Sequence, residues 1–158
     1  MSRKLIGLLT AGGLCLAGAT LPAQADNITS SFTTVPQFWL GNLQQVLRLT
    51  PANGVFIPFN NPFVGTVSIT YTAECQLNGA LSSYIFVSVF IDGVITQPTS
   101  SEAVFCSGQG GTFAGAARHS ITVAKVLASG AHSVQVRGQV VGVHAGARID
   151  DSTILVTR

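Results

Sequence analysis

The sequence predicts an all-β fold: a single antiparallel β-sandwich of about eight strands that follows a cleaved leader and is closed by one disulfide. Three observations carry this expectation. From Thr66 to Cys75, the residues Val67, Ile69, Tyr71, Ala73 and Cys75 alternate without a break with Thr66, Ser68, Thr70, Thr72 and Glu74. That period of two puts apolar groups on one strand face and polar groups on the other. Short β-prone runs recur along the rest of the chain, divided by Asn53-Gly54, Asn78-Gly79, Asp92-Gly93 and Ser129-Gly130 turn pairs. Cys75 and Cys106 are the only cysteines beyond the leader, and each falls in a predicted strand.

Residues 1–25 have the make-up of a secretory signal peptide. Arg3 and Lys4 form a positive n-region, Leu5 to Leu21 an apolar stretch, and Ala23-Gln24-Ala25 a small-x-small cleavage site. The alternative, a retained membrane anchor, needs roughly 20 apolar residues, and the stretch only reaches the lower limit. Cys15 follows Leu14 rather than the small residue a lipoprotein signal requires, so it leaves with the leader. The expected product is one domain, residues 26–158, without a membrane span, secreted to the extracellular space or the periplasm. In that oxidising setting Cys75 and Cys106 pair. Closing a loop of about 30 residues contributes roughly 3–4 kcal/mol in the chain-entropy picture.

Removing the leader also settles the charge. Arg48, Arg118, Lys125, Arg137, Arg148 and Arg158 balance Asp26, Glu74, Asp92, Glu102, Asp150 and Asp151, so the net charge of +2 belongs to Arg3 and Lys4. With no basic patch, nucleic acid is excluded as a partner. Charged residues make up 9% of the chain, against about 25% in an average soluble protein. Either hydroxyls and amides do the solubilising, or the low charge lets copies pack together.

In chain order, Asp26 to Val35 reads as a first, edge strand, with Asn27-Ile28-Thr29 fitting a glycosylation sequon. Pro36 to Pro51 admits a short helix, from the spacing of Trp39, Leu43, Val46 and Leu47, or an irregular crossing strand, because Gly41 opposes a long helix. Val55 to Phe59 is a short strand cut by Pro58, and Asn60-Asn61-Pro62 is a turn. The central strand follows, Phe63 to Leu77. Ser82 to Ile91 is a second strong strand, with Ile85, Val87, Val89 and Ile91 on one face and Tyr84, Phe86, Ser88 and Phe90 on the other. Both faces are largely apolar, so the fold or a partner subunit covers the second one. Asp92-Gly93 makes a tight hairpin into Val94 and Ile95, and Glu102 to Cys106 is a further strand.

The Gly-rich run from Ser107 to Ala117 lacks the Lys-Ser/Thr of a phosphate-binding loop and reads as a surface loop. Ser120 to Leu127 is a strand whose alternation slips at Lys125, the mark of a bulge. His132 to Val143 alternates again, Gly142 to Gly146 turns the chain, and Ala147 to Thr157 closes the domain with an irregular step at Asp150-Asp151.

The last third carries a resemblance. Leu127-Ala128-Ser129-Gly130-Ala131-His132-Ser133-Val134-Gln135-Val136, then Ala147-Arg148-Ile149-Asp150, then Ile154-Leu155-Val156, resembles the closing hairpin and last strand of secreted and phage-borne jelly rolls, with the C1q/TNF-like superfamily as the nearest named group. The resemblance implies a jelly-roll-like sandwich, and packing of three copies about an axis through aromatic and apolar strand faces.

The catalytic inventory is thin. There is no Gly-x-Ser-x-Gly, no His-Glu-x-x-His and no Cys-x-x-Cys. His119, His132 and His144 each stand near a strand end and would have to converge to hold a metal. Asp150-Asp151 is the paired acid: a calcium site completed by loop carbonyls on one reading, a bulge whose carboxylates cap amides or pair with Arg148 or Arg137 on the other. A glycosidase would need two carboxylates facing across a cleft, and those available fall mostly at strand ends. The expectation is therefore a non-enzyme. Its first form is a structural or adhesive sandwich that forms homo-oligomers. Its second is a module for a glycan or other cell-surface ligand, using Trp39 or Tyr84, with calcium at Asp150 and Asp151 as an aid.

Overall fold

The structure is a computed structural model and describes residues 26–39, 41–98, 104–108 and 115–158. The expected signal peptide, the start of the Glu102–Cys106 strand and most of the Gly-rich loop lie outside the described residues. Eleven strands follow in order: β1 (Asn27–Thr33), β2 (Gln37–Trp39), β3 (Gln44–Val46), β4 (Ile57–Asn61), β5 (Gly65–Gly79), β6 (Tyr84–Ile91), β7 (Val94–Ile95), β8 (Val104–Ser107), β9 (Ala117–Leu127), β10 (Gly130–Val141) and β11 (His144–Thr157). No helix occurs among the described residues.

The strands form two antiparallel sheets. Sheet A runs β1-β11-β5-β9, with β2 also on β11; sheet B runs β3-β10-β6-β7, with β4 on β10 and β8 on β6. Taking β3–β4 as one broken strand and β7–β8 as another, with the short β2 as an extra pairing on β11, leaves eight, ordered first-eighth-third-sixth in one sheet and second-seventh-fourth-fifth in the other. That is the connectivity of a jelly roll.

β5 bears out the alternation that predicted it. Val67, Ile69, Tyr71, Ala73, Cys75 and Leu77 are all buried, facing Ile85, Val87, Val89 and Ile91 of β6 and Val134, Val136 and Val140 of β10 across the sandwich. On its outer face, Thr70 and Thr122 hydroxyls meet at 2.9 Å, Thr72 and Ser120 at 3.0 Å, and Glu74 pairs with Arg118 at 3.3 Å. The Cys75–Cys106 disulfide links β5 to β8, tying sheet A to sheet B with 6.3 Å between the Cα atoms.

Of the two readings of Pro36–Pro51, the crossing strand holds and the helix does not: the stretch is two short strands in different sheets, so the chain crosses the sandwich there. Other expectations are corrected. Pro58 does not end its strand. β4 is an edge that bonds only to β10, so a missing N–H on its outer side costs no ladder bond. Asn60 and Asn61 belong to β4 rather than to a turn; Asn61 is buried, and its amide donates to the carbonyls of Leu127 (3.4 Å) and Ala128 (2.9 Å). β9 has no bulge at Lys125. Its register against β5 is continuous from Ala117 to Leu127, and Lys125 occupies an inward position half-buried. The irregular step at Asp150-Asp151 is real: the register against β5 jumps between Asp150 and Thr153, and Asp151 has a φ of 42°.

Candidate functional site

The outer face of sheet B is the surface most unlike a solvated strand face. β6 turns Tyr84, Phe86, Ser88 and Phe90 outward. The register then places Gln135 beside Phe90, Arg137 beside Ser88, Gln139 beside Phe86 and Val141 beside Tyr84. Val46 of β3 stands next to Arg137, Ile95 of β7 next to Phe90, and Val104 of β8 next to Phe86.

The fold itself covers one half of this face. The Arg137 guanidinium lies 4.1 Å from the Phe90 ring centre and donates to Gln135 at 2.7 Å, leaving Phe90 9% and Ser88 1% exposed. The other half stays open: Tyr84 and Phe86, with ring centres 6.1 Å apart, are half-buried, and Val104 and Val141 beside them are 50% and 40% exposed. Of the two expected covers for the second face of β6, the fold accounts for Ser88–Phe90 and leaves Tyr84–Phe86 to a partner. Among the described residues this face holds no carboxylate.

The two expected ligand aromatics separate. Tyr84 lies on the open half. Trp39 does not face solvent: it is 1% exposed, with its indole against Gly138 and Leu47. Because β2 is a strand, its neighbour takes the opposite side, and Phe38 is 60% exposed. Phe38 borders a shallow hollow on sheet A with Gln76, Asn78, Gly146 and Arg148, its floor shared by Trp39 and Ala147. Helical spacing, which drew attention to Trp39, hid Phe38; alternation from Gln37 would have picked it out.

Of the paired acids, Asp150 is already engaged within the chain. Asp150 pairs with Arg148 at 3.3 Å and accepts the Asp151 N–H at 2.9 Å, which is the bulge-capping arrangement. Among the described residues no group of three His, Cys, Asp or Glu side chains could hold a metal ion. The histidines are dispersed: His119 rests on Phe105 (5.7 Å between ring centres), His144 opposes Gly79, and His132 lies in sheet B.

Among the described residues His132 makes the one close acid–histidine contact, which the sequence reading missed. Its Nδ1 meets Asp92 Oδ2 at 2.7 Å and its Nε2 meets the Ala128 carbonyl at 3.0 Å. Both partners are acceptors, so the arrangement is fully bonded only when both ring nitrogens carry hydrogen. The Asp92 bond, then the Ala128 bond, raise the His132 pKa above its usual value. Burial works against the Asp92 carboxylate, but its bonds from His132 and Ser133 outweigh that and hold its pKa below the usual value. An acid and a histidine so placed are two parts of a nucleophile-activating array, yet Nε2, which would take the nucleophile's proton, is held by a backbone carbonyl. The pair fastens the β6–β7 turn to β10 and to the β9–β10 connection.

No family model and no curated protein matches the chain. Similar solved structures include infectious bursal disease virus Gx strain, at 10% identity and a TM-score of 0.48 over 95% of this chain and 36% of that one. A family 35 carbohydrate binding module from Clostridium thermocellum is similar at 10% identity and a TM-score of 0.35, over 80% and 97%. A carbohydrate binding module from Cellvibrio mixtus lichenase 5A in complex with cellotriose is similar at 14% identity and 0.37, over 86% and 90%. The chain spans about a third of the viral chain. Scores of this size carry nothing about its function.

Proposed function

We propose that this protein is a secreted, non-catalytic β-sandwich with a structural or adhesive role, and that it self-assembles through the open half of the sheet B face. The observation that carries the reading is the cluster of Tyr84, Phe86, Val104 and Val141, outward-facing and half-exposed on one side of a sheet. Contiguous apolar surface of this kind marks interaction sites. The absence of carboxylates on the face among the described residues, and the balanced charge beyond residue 25, let a second copy approach without repulsion. The test is light scattering on the oxidised protein across a wide concentration range, with Phe86→Lys as the variant. Association that falls at least tenfold in Phe86→Lys supports the reading. Wild-type protein that stays monomeric up to about millimolar concentration removes it, since standard interfaces hold far below that.

A second reading rests on Phe38. An exposed ring beside Gln76, Asn78 and Arg148 in a shallow hollow suits a sugar, whose C–H face stacks on the ring while planar polar groups bond its hydroxyls. Trp39 shares that hollow and reports on it. Glycans that leave Trp39 emission unmoved, or bind Phe38→Ala as well as wild type, exclude this reading.

A further inference from the structure

Exposed strand edges invite pairing, and folded proteins blunt them with shortness, bulges or proline. Nearly every edge described here is blunted. β1 carries a bulge between Asn27 and Thr29, β4 carries Pro58, β3 and β7 have three and two residues, and β8 has four with a register shift against β6. β9 is different. It runs 11 residues in unbroken register with β5, without proline or bulge, and among the described residues no strand pairs with its other side.

The groups on that free side can be named. Asp26 and Arg158 exchange two backbone hydrogen bonds, at 2.9 and 3.0 Å, which sets the phase of the ladder. Counting from there, Thr153, Leu155 and Thr157 turn their backbone bonds toward β5, Val67, Ile69 and Tyr71 turn theirs toward β9, and the even-numbered residues of β9 face away. The close Thr70–Thr122 hydroxyl contact fits this phase, since side chains approach nearest at positions without backbone bonds. Arg118, Ser120, Thr122, Ala124 and Val126 therefore present N–H and C=O groups to whatever lies beside β9.

We propose that β9 is the edge at which two copies of this chain join, antiparallel and related by a twofold axis at Thr122. In that register Thr122 meets its own counterpart, Ser120 meets Ala124 and Arg118 meets Val126. All five outward residues find partners, giving about ten backbone bonds. The strand is self-complementary in charge as well: Arg118 is already offset by Glu74, and it falls opposite an apolar residue. On the inward side Ile121 falls opposite Val123, extending the core, and Lys125 falls opposite His119. Sheet A then continues across the pair. This surface is distinct from the sheet B face and stands whether or not that face assembles.

Cysteine cross-linking reads the register directly. In Thr122→Cys the two new thiols sit on the axis at about 5.5 Å between Cα atoms, within disulfide range, whereas in Ala124→Cys each faces a serine. Mild oxidation is expected to give a covalent dimer with Thr122→Cys and little with Ala124→Cys. In wild-type protein the amides of Ser120, Thr122 and Ala124 are expected to exchange at least tenfold more slowly at associating concentrations than on dilution. Thr122→Pro, which removes an outward N–H without touching the β5 ladder, abolishes that protection for Ser120 and Ala124, while Thr122→Val keeps it. Equal cross-linking of both cysteine variants, no cross-linking of either, or concentration-independent exchange of the three amides overturns the proposal. Phe86→Lys leaves the β9 result unchanged, so failure at the edge and failure at the sheet B face are told apart.

Discussion

Gly138 shows how one side chain's absence makes room for the largest residue in the core. A Cβ there would stand 2.8 Å from the Trp39 ring and 3.2 Å from Leu47. Gly138→Ala is expected to cost about 1–3 kcal/mol, the range for overpacking a well-filled interior, read as a lower urea midpoint with unchanged slope. Tyr71 makes the opposite case. It is fully buried against Phe105, burial pushes its pKa far up against the small opposing pull of Ser152, and with Ser152 as its neighbour the hydroxyl still meets no hydrogen-bonding partner of good geometry. Tyr71→Phe discards an unsatisfied polar atom at almost no change in shape, so stability is expected to hold or rise slightly. Stability lost by more than about 1 kcal/mol would mean that the hydroxyl is bonded in solution.

Among the elements, the His132 fastening gives the β6–β7 turn a dependence on pH. Folding raises the His132 pKa, so its contribution is complete below the ordinary value of 6.5 and is lost as pH climbs through the folded value. Folding lowers the Asp92 pKa, so its contribution is present above 3.8 and is lost as pH falls through its folded value. The fastening is therefore strongest between roughly pH 4 and 6.5, and both groups being partly solvated holds its worth to about 1 kcal/mol. Thermal melts of wild type and His132→Gln should differ most in that window and converge as pH rises past it; parallel curves through pH 8 would discard the account. None of this was legible in the sequence, because Asp92 and His132 are forty residues apart and meet only once β6 pairs with β10. What was legible is what repeats locally: the alternation of β5, the Asp92-Gly93 turn with φ of 52° and 78°, the irregular step at Asp150. The misread elements are those whose neighbours decide. Pro58 is harmless because β4 is an edge, Asn61 is a buried clamp because the Ala128 carbonyl lies 2.9 Å from its amide, and Lys125 keeps the β9 register at a position that the sandwich leaves half-buried.

For the whole molecule, Cys75–Cys106 is the one covalent side-chain link between the two sheets among the described residues. Reducing that bond is expected to lower stability by roughly 3–4 kcal/mol while the sandwich topology survives in the strand pairings, with the urea midpoint as the readout. The pairing of Asp26 with Arg158 bears on a different property, the response to mechanical load. These two residues lie side by side at one pole, and β1 runs antiparallel to β11 away from them. A pull applied between them loads the β1–β11 rungs one after another, as a zipper is opened, rather than all together in shear. The sandwich should therefore yield to a stylus at low force. Once the strands have peeled, the cross-link withholds the 31-residue span between its cysteines, so the oxidised chain extends about 100 Å less than the reduced one.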